Sequence, residues 1–438
     1  MLFWLYNIVL LFGILIGFPL IIVILFITGK NKTATLAQRF GCSTTKANHE
    51  SDNLNNCSSQ TLWIHALSVG EVISSVPLVN ALKNNCEQTN IVFSVSTETG
   101  FEIATKLFKP ELKVIFFPYD LLFCVKLISS GINPDLVIIV ETDIWPNFMF
   151  EMKKRGIPVI LVNARLSSKS LYRYKCFIFL FKSVFSSFSM ICAQSLNDAK
   201  NFHRLDIPLS KITVTGNMKF DQDEKLVINE NSHILEKLNI KTDQTVMLAG
   251  STHKGEESII LSAFVKIRKK FPDMVLVIVP RAPNRAGAVC SIVQSVGLSA
   301  VLLNKLNTKN NNMRYNVIVI GILGILKQLY SIADIAIVGG SLLNIRGIGG
   351  HNPLEPAAFA KPIIYGKNMK NFSHISHLLL EAEAAIQVSN ATSLYNAVIM
   401  LLEDKEKAIK MGQKAKNVLY ANSGAVKTTL DVIQKTLS

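Results

Sequence analysis

Two series of short, continuously apolar segments alternate with helical patterns along this chain of 438 residues, and this alternation limits the folds open to it. The first series is LWIHAL, IVFSVS, VIFFP, LVIIVE, IPVILVNA and MICAQ, and the second is TVMLAG, VLVIVP, VIVIG, IAIVGG and PIIYG. Strands that are apolar throughout are buried on both faces, and helical connections make neighbouring strands parallel. The pattern predicts two Rossmann-like, doubly wound α/β domains facing a cleft, with ligands at the carboxyl ends of the strands.

The segments between the two series indicate the domain boundaries. Residues 43–60 are rich in Asn and Ser, which is typical of a solvated insert, and residues 221–242 contain no apolar strand, which suits a linker. The predicted organisation is an anchor (1–30), a membrane-proximal segment with the polar insert (31–61), a first domain (62–225) and a second domain with C-terminal helices (226–438).

The N-terminal segment predicts a membrane anchor. Residues 2–28 carry no charge over a length that exceeds the ~20 residues needed to cross a bilayer. No Lys or Arg precedes this run, which argues against a cleaved signal peptide. Lys30, Lys32 and Arg39 follow it, so the positive-inside rule predicts a single-pass anchor with the bulk of the chain in the cytoplasm.

Composition narrows the choice of partner. The net charge is +15, but no nucleic-acid-binding motif accompanies it, so an anionic membrane surface is the simpler partner. Residues 169–182 mix basic and aromatic side chains, which fits a surface helix against lipid head groups or an ordinary, partly buried helix. The seven cysteines show no CxxC pairing, which favours free thiols over disulfides or zinc ligands. No Walker A motif occurs, which weakens an ATPase interpretation.

A glycine-rich stretch, residues 338–366, predicts a loop after a strand and then a helix start. Asn352 suits the N-cap, Pro353 the first helical position, and Glu355 lies in the first turn. A helix N-terminus favours phosphate, and a carboxylate there can accept hydrogen bonds from both hydroxyls of a ribose. The alternative is that Glu355 only balances the dipole of its own helix.

Other chemically useful side chains follow predicted strands. Glu71 stands at the start of the helix after the first strand, where it can act as a general base toward a sugar hydroxyl or simply cap the helix. Glu141 ends the apolar run LVIIV and needs a partner at that depth. In the second half, GSTHKGEE (250–257) opens a helix, and Arg281 follows VLVIVP, where it can clamp a phosphate.

Seven segments, spread from residue 63 to residue 357, together resemble the 3-deoxy-D-manno-octulosonic acid (Kdo) transferase family. They are WIHALSVGEV, IVETDIWPN, IPVILVNARLS, GNMKFD, LAGSTHKGEE, VPRAPNR and GGHNPLEPA. The resemblance implies a GT-B glycosyltransferase of the bacterial inner membrane, with its catalytic domains on the cytoplasmic side. It would transfer Kdo from CMP-Kdo to the lipid A precursor lipid IVA with inversion, using no cofactor and no metal.

The resemblance also implies roles for individual residues. The family's proton acceptor falls on Glu71, and the two residues that stabilise its transition state fall on Glu141 and Lys219. The CMP contacts fall on Pro280, Arg281, Leu323, Gly324, Ile325, Asn352, Pro353, Leu354 and Glu355. One departure is Ile325, because the family usually has Glu after this glycine; backbone contacts to the nucleotide survive that change and a side-chain contact does not.

Three other functions stay open on the sequence. A GT-B relative with a UDP-sugar donor would keep the fold and the ribose carboxylate. A GT-B-like epimerase would need no membrane acceptor, so the apolar N-terminal segment argues against it. A catalytically inactive sugar-nucleotide-binding membrane protein is suggested by Ile325, and the presence of Glu71, Glu141, Lys219 and Arg281 argues against it. The sequence leaves the oligomeric state unknown.

Overall fold

The computed structural model describes residues 6–13, 16, 30–41, 60–85, 89–221, 238–305, 315–322 and 324–437. The chain forms two compact units, which are treated separately below. Unit 1 consists of Met1–Asp221 together with Ser423–Ser438, and unit 2 consists of Gln222–Asn422.

Unit 1 is built on a parallel seven-stranded sheet with the strand order β3-β2-β1-β4-β5-β6-β7. Its strands are β1 (Thr61–Ala66), β2 (Asn90–Val95), β3 (Lys113–Phe116), β4 (Leu136–Val140), β5 (Val159–Ala164), β6 (Met190–Ala193) and β7 (Ile212–Val214). Residues 6–13 are helical, and the further described helices are α1 (Lys30–Phe40), α2 (Val69–Asn85), α3 (Glu98–Phe108), α4 (Leu122–Ile132), α5 (Pro146–Lys154), α6 (Ser168–Cys176), α7 (Ile178–Phe185), α8 (Leu196–His203) and the C-terminal Ala425–Leu437.

Unit 2 repeats this plan in a second seven-stranded sheet, with the order β10-β11-β9-β8-β12-β13-β14. Its strands are β8 (Val246–Thr252), β9 (Val275–Pro280), β10 (Ala300–Leu302), β11 (Val317–Val319), β12 (Ile335–Val338), β13 (Ile363–Gly366) and β14 (Ala385–Val388). Its described helices are α9 (Glu256–Lys270), α10 (Ala286–Ser295), α11 (Leu326–Ile332), α12 (Leu354–Ala358), α13 (Ser373–Glu381), α14 (Ala391–Glu403) and α15 (Lys405–Ala421); the C-terminal helix of unit 1 is therefore α16.

Both faces of each sheet are covered, as the apolar strands predict. In unit 1, Ile64 and Ile138 pair across β1 and β4 and belong to one core cluster. Their neighbours Trp63 and Ile139 point to the opposite face and belong to another. Successive side chains of a strand alternate between faces, so a strand covered on both sides is apolar at every position. The prediction of two parallel, doubly wound α/β sheets is confirmed.

The last helix corrects one part of the predicted organisation. The sequence interpretation placed all of 226–438 in the second domain, whereas α16 packs on α2 in unit 1, with Val432 and Ile433 buried in the same core cluster as Leu78. Asp221 holds the start of α16, since its carboxylate accepts the N–H groups of Gly424 at 2.5 Å and Val426 at 2.6 Å. The amphipathic helix buries its apolar face against a surface from early in the chain.

The residues of the predicted anchor are described only in part. Residues 6–13 are helical, the Tyr6 hydroxyl donates to Asp120 Oδ2 at 2.8 Å, and Asn7 Nδ2 donates to Asn147 Oδ1 at 2.9 Å. Over the parts of the chain that the structure describes, no helix has both the length and the apolar character needed to cross a bilayer. Apart from residue 16, the other residues of 2–28 lie outside the described parts, as do 42–59, which hold most of the predicted insert.

The aromatic and basic stretch 169–182 forms two helices where the sequence suggested one. The structure breaks it at Phe177, between α6 and α7. Tyr172, Phe177 and Phe179 are 72%, 54% and 57% exposed, whereas Leu171 in α6 is buried. The stretch is therefore partly core and partly an exposed aromatic surface among basic side chains.

Replacing Asp221 by Ala should loosen α16 without unfolding unit 2. The substitution removes the acceptor of two helix-start N–H groups, a loss of about 0.5–2 kcal/mol. Hydrogen exchange of residues 425–437 should therefore become roughly 2- to 30-fold faster. Asp431→Ala, on the exposed side of the same helix, is the matched control. Equal exchange in the two variants would show that Asp221 does not hold α16.

Candidate functional site

In unit 1, the Glu71 carboxylate turns back over the end of β1. Glu71 lies in the first turn of α2. The Leu67 N–H donates to its Oε2 at 2.5 Å, and the Ser68 hydroxyl donates to its Oε1 at 3.2 Å. Glu71 therefore caps the start of α2, and the same two hydrogen bonds hold its carboxylate at the carboxyl edge of the sheet.

The surroundings of Glu71 favour its neutral form. Burial, and then the negative charge of Glu141, raise the pKa of Glu71 to about 7, although the hydrogen bond from the Leu67 N–H opposes them. Burial and like charges both disfavour a carboxylate. A carboxyl group with a pKa near neutrality can both accept and return a proton, which is the property that a general base requires.

Glu141 stands where β4 ends, in an unusual backbone conformation. Its φ is +61°, in the left-handed region that non-glycine residues avoid at a cost of roughly 1–2 kcal/mol. Its N–H still donates to the Val162 carbonyl at 2.9 Å, which extends the ladder between β4 and β5. The turn directs the carboxylate to Lys219, whose Nζ lies 3.3 Å from Glu141 Oε1. Lys219 is the partner that the sequence analysis required for this charge.

Lys219 is held in place by side chains that the sequence analysis did not select. It lies in a short 3-10 helix, Met218–Phe220, and its N–H donates to Asn217 Oδ1 at 3.0 Å. The N–H of Met218 donates to Asn163 Oδ1 at 3.1 Å. Asn163 is fully buried in β5 with a φ of +52°. An Asn inside the apolar run IPVILVNA was the signal for this role.

A fully buried histidine, His65, pairs with a partly buried aspartate, Asp143, near Glu71. His65 Nε2 is 3.0 Å from Asp143 Oδ2, and the Trp145 Nε1–H donates to the same oxygen at 2.9 Å. His65 stacks on Phe117 with ring centroids 3.8 Å apart. Asp143 also contributes to the raised pKa of Glu71. The segments WIHAL and IVETD each contain one of these two polar residues, but their spacing in the sequence does not indicate that they pair.

In unit 2, the glycine-rich turn after β12 is organised by a carboxylate from α9. Glu256 Oε1 accepts the N–H groups of Ser341 at 3.0 Å and Leu342 at 2.8 Å. Its Oε2 accepts those of Gly340 and His253, both at 2.8 Å. The Glu256 side chain is fully buried. The N–H groups of this turn therefore donate to the Glu256 carboxylate and need no bound anion.

Gly349 and Gly350, in the loop after β12, pack against other parts of unit 2. Gly350 has a φ of +82°, which glycine adopts easily. A Cβ at Gly349 would lie 2.8 Å from the Asn371 side chain. Gly350 therefore supplies a positive φ in this loop, and the lack of a side chain at Gly349 leaves room for Asn371.

The helix after this loop begins one residue later than predicted. α12 spans Leu354–Ala358, and Asn352 Oδ1 accepts the Leu354 N–H at 3.1 Å. Pro353 has helical φ and ψ but precedes the first assigned helical residue. The Asn352 side chain therefore caps the helix in the predicted manner, displaced by one position.

Glu355 is the titratable group of this helix. Burial raises the pKa of Glu355 to about 7, and the positive charges of Arg281 and Lys327 oppose the rise. Arg281 follows β9, where its N–H donates to the Thr252 carbonyl at 2.9 Å. Within the described residues, the Arg281 guanidinium has no hydrogen bond or ion pair of its own.

The predicted site residues of unit 2 come together at one edge of its sheet. Pro280 ends β9 beside Thr252 of β8, and Gly324, with a φ of +91°, and Ile325 come between β11 and α11. Leu323 lies outside the described residues. Because all strands of this sheet are parallel, the segments after β9, β11 and β12 share its carboxyl edge. Glu71, Glu141 and Lys219 likewise follow β1, β4 and β7 of unit 1.

A family model and individual known proteins that resemble this chain point to the same family. A family model described as 3-deoxy-D-manno-octulosonic-acid transferase (kdotransferase) matches residues 34–222. A 3-deoxy-D-manno-octulosonic acid transferase of Haemophilus influenzae is 35% identical over 381 residues, covering 86% of this chain and 87% of that protein. The transferase of the same name from Rickettsia bellii is 32% identical over 391 residues, covering 88% of each chain.

A solved structure supports the fold. The UDP-GlcNAc 2-epimerase from Neisseria meningitidis, bound to UDP-GlcNAc, aligns with a TM-score of 0.59 over 86% of this chain and 100% of its own, at 19% identity. This likeness shows a GT-B-like α/β fold. Identity and coverage against the transferases show more: the chain belongs to the 3-deoxy-D-manno-octulosonic acid transferase family of glycosyltransferases.

Proposed function

We propose that this enzyme transfers Kdo from CMP-Kdo to lipid IVA, with inversion at the anomeric carbon and without a metal or cofactor. The observation that carries the proposal is the group formed by Glu71, Glu141 and Lys219 at the carboxyl edge of unit 1. It combines a carboxyl group with a pKa raised to about 7 and an ion pair of 3.3 Å. Membership of the Kdo transferase family supports Kdo as the sugar.

Glu71 is the proposed base. An acceptor hydroxyl attacks the anomeric carbon of Kdo, its proton passes to the Glu71 carboxylate, and the bond from that carbon to the CMP phosphate oxygen breaks. CMP leaves with the electron pair of that bond. A single displacement of this kind inverts the anomeric centre, and it needs one ionised base that is not already paired with a cation. The hydrogen bonds from Leu67 and Ser68 hold Glu71 without neutralising its charge.

Glu141 and Lys219 are the proposed electrostatic pair. As the bond to CMP breaks, positive charge develops on the sugar and negative charge on the phosphate, and fixed charges of opposite sign stabilise both. Lys219 lies within ion-pair distance of Glu141, whereas Glu71, whose pKa is raised to about 7, has no cation at that distance in the described chain. Two carboxyl groups in one cluster are thereby assigned different roles.

The donor nucleotide is proposed to bind at the carboxyl edge of unit 2. Arg281 would bind the phosphate, since its guanidinium has no other partner in the described chain, and Glu355 would accept hydrogen bonds from the ribose hydroxyls. Pro280 and the segment Asn352–Leu354 would line the same site. At 323–325, contacts would come from the backbone, because Ile325 has no polar side chain.

The acceptor and the membrane complete the proposal. Lipid IVA carries phosphates and acyl chains, which suits a chain with a net charge of +15 and the exposed aromatic residues of α6 and α7. We propose that the enzyme associates with the cytoplasmic face of a bacterial inner membrane, held by the apolar segment 2–28 as a single-pass anchor and by its basic surface.

Replacing Glu71 by Gln should abolish most transfer and spare CMP binding. Gln retains an oxygen for the Leu67 N–H but cannot take a proton, so the rate should fall by about 10²- to 10⁴-fold. Wild-type transfer should rise with pH up to about 7 and level off above it, because the base must be ionised and its pKa is raised to about 7. The measurement is the initial rate with CMP-Kdo and lipid IVA at several pH values.

Glu98→Gln, an exposed first-turn carboxylate of α3, is the matched control for Glu71→Gln. Thermal unfolding checks that each variant is folded. Near-normal transfer by Glu71→Gln, together with loss of transfer in a folded Glu141→Gln, would assign the base to Glu141 instead.

Replacing Glu355 by Gln should weaken CMP binding without changing stability. The variant loses a charged acceptor, worth roughly 1.5–3 kcal/mol, so CMP affinity should fall by about 10- to 150-fold in calorimetry. Glu381→Gln, at the exposed end of α13, is the control. Unchanged CMP binding combined with a lower melting temperature would show that Glu355 serves only its own helix.

Deleting residues 1–30 should leave a folded protein with weaker membrane association, because the first strand begins at Thr61. Residual binding to anionic vesicles should fall steeply with salt, since exposed charges are screened over about 10 Å at 0.1 M. Cosedimentation with anionic and neutral vesicles makes the comparison. Salt-independent binding by the truncated protein would contradict an electrostatic surface and indicate a second apolar contact.

A further inference from the structure

Two histidines in unit 2 form a direct ring-to-ring hydrogen bond. His253 lies in the loop between β8 and α9, and His351 lies in the glycine-rich loop next to Asn352. Their Nε2 atoms are 2.8 Å apart, and the ring planes are parallel to within 2°. A ring nitrogen donates only when it is protonated, so one proton must lie between the two Nε2 atoms.

The protonation states of this histidine pair are limited. A neutral pair has one proton between the Nε2 atoms, one Nδ1–H and one bare Nδ1. A single added proton turns the bare Nδ1 into a donor and leaves the shared bond intact. A further proton would place hydrogens on both Nε2 atoms and break the bond. The intact pair can therefore take up one proton and no more. No other hydrogen bond engages either ring within the described residues.

In the free protein the surroundings of both histidine rings favour their neutral forms. Burial, followed by the charges of Arg281 and His253, lowers the pKa of His351 to about 4. Burial also lowers the pKa of His253, where Arg281 and Arg285 add to the effect and the carboxylates of α9, Glu256 and Glu257, oppose it.

Of the charged groups near the histidine pair, Arg285, Glu257 and Glu256 have hydrogen-bonded partners, whereas the Arg281 guanidinium has none in the described chain. Arg285 Nη1 donates to Glu257 Oε1 at 2.8 Å, and four N–H groups surround the Glu256 carboxylate, including that of His253. The charge of Arg281 acts on Glu355, but no hydrogen bond or ion pair in the described chain engages its guanidinium. The histidine pair therefore lies beside a cation that an incoming anion could bind.

We propose that His253 and His351 belong to the phosphate-binding part of the donor site and take up one proton when the nucleotide phosphate binds at Arg281. The inference rests on the proposed function, because it uses the donor site described there. A bound phosphate supplies the negative charge that the free site lacks, and this charge favours the cationic form of the histidine pair. Nucleotide binding is then coupled to proton uptake.

The test is calorimetric titration of the full chain with CMP, near pH 6.5, in buffers of different ionisation enthalpy. The heat difference between buffers gives the protons taken up per CMP bound. The comparison is with His253→Gln/His351→Gln, whose amides keep hydrogen-bonding groups but do not titrate. The CMP phosphate, with a second pKa of about 6, and Glu355 also titrate. Both are present in wild type and variant, so the difference isolates the histidines.

Wild type should take up more protons than the double variant, by up to about one per CMP. Its advantage in CMP affinity should grow as pH falls from about 8 to 6, by at most tenfold per unit. Equal proton uptake with CMP bound by both proteins would overturn the role of the histidines alone. Failure of wild type to bind CMP would overturn the proposed donor as well.

A second measurement needs no substitution. Nitrogen NMR of the wild-type imidazoles should show one bare Nδ1 in the free protein near pH 7 and two protonated Nδ1 atoms with CMP bound. Unchanged nitrogen shifts on CMP binding would contradict the inference even if the double variant failed to fold.

Discussion

The candidate donor site depends on one buried carboxylate. Glu256 accepts four backbone N–H groups, three of them from the turn that follows β12 and one from the loop that follows β8. These strands are neighbours in the sheet, so the side chain ties together the two loops that carry His253 and His351. Hydrogen bonds to an ionised acceptor are roughly twice as strong as neutral ones, and they are stronger still where water is excluded.

Unit 1 positions its polar group through backbone conformation. Glu141 and Asn163 both have positive φ at the ends of adjacent strands, β4 and β5. The Glu141 carboxylate points to Lys219, and Asn163 Oδ1 accepts the N–H of Met218, the residue before Lys219. Such conformations are costly for non-glycine residues and persist where the surrounding structure enforces them. Both sites are thus supported by groups that need not contact any substrate.

The sequence predicts the sheets well because continuous apolar runs have few other uses in a chain of this length. The family also follows from unusual motifs, and the comparisons confirm it. The support of each site is harder to foresee. In the sequence Glu256 is one member of an acidic pair at the start of a helix, whereas three of its four hydrogen-bond partners lie more than 80 residues further along the chain. The partner of α16 is equally hidden, because an amphipathic pattern identifies a buried face but not the surface that it covers.

The return of α16 to unit 1 has a consequence for biosynthesis. The apolar face of α2 is completed by Val432 and Ile433, which are made only after the whole of Gln222–Asn422. At a ribosomal rate of about 5–20 residues per second, that delay is roughly 10–40 s. Unit 2 is continuous in sequence and can fold as it emerges, whereas unit 1 exposes an uncovered apolar surface throughout. The first half of a nascent chain therefore keeps part of its apolar core open to water until the last residues of the protein have been made.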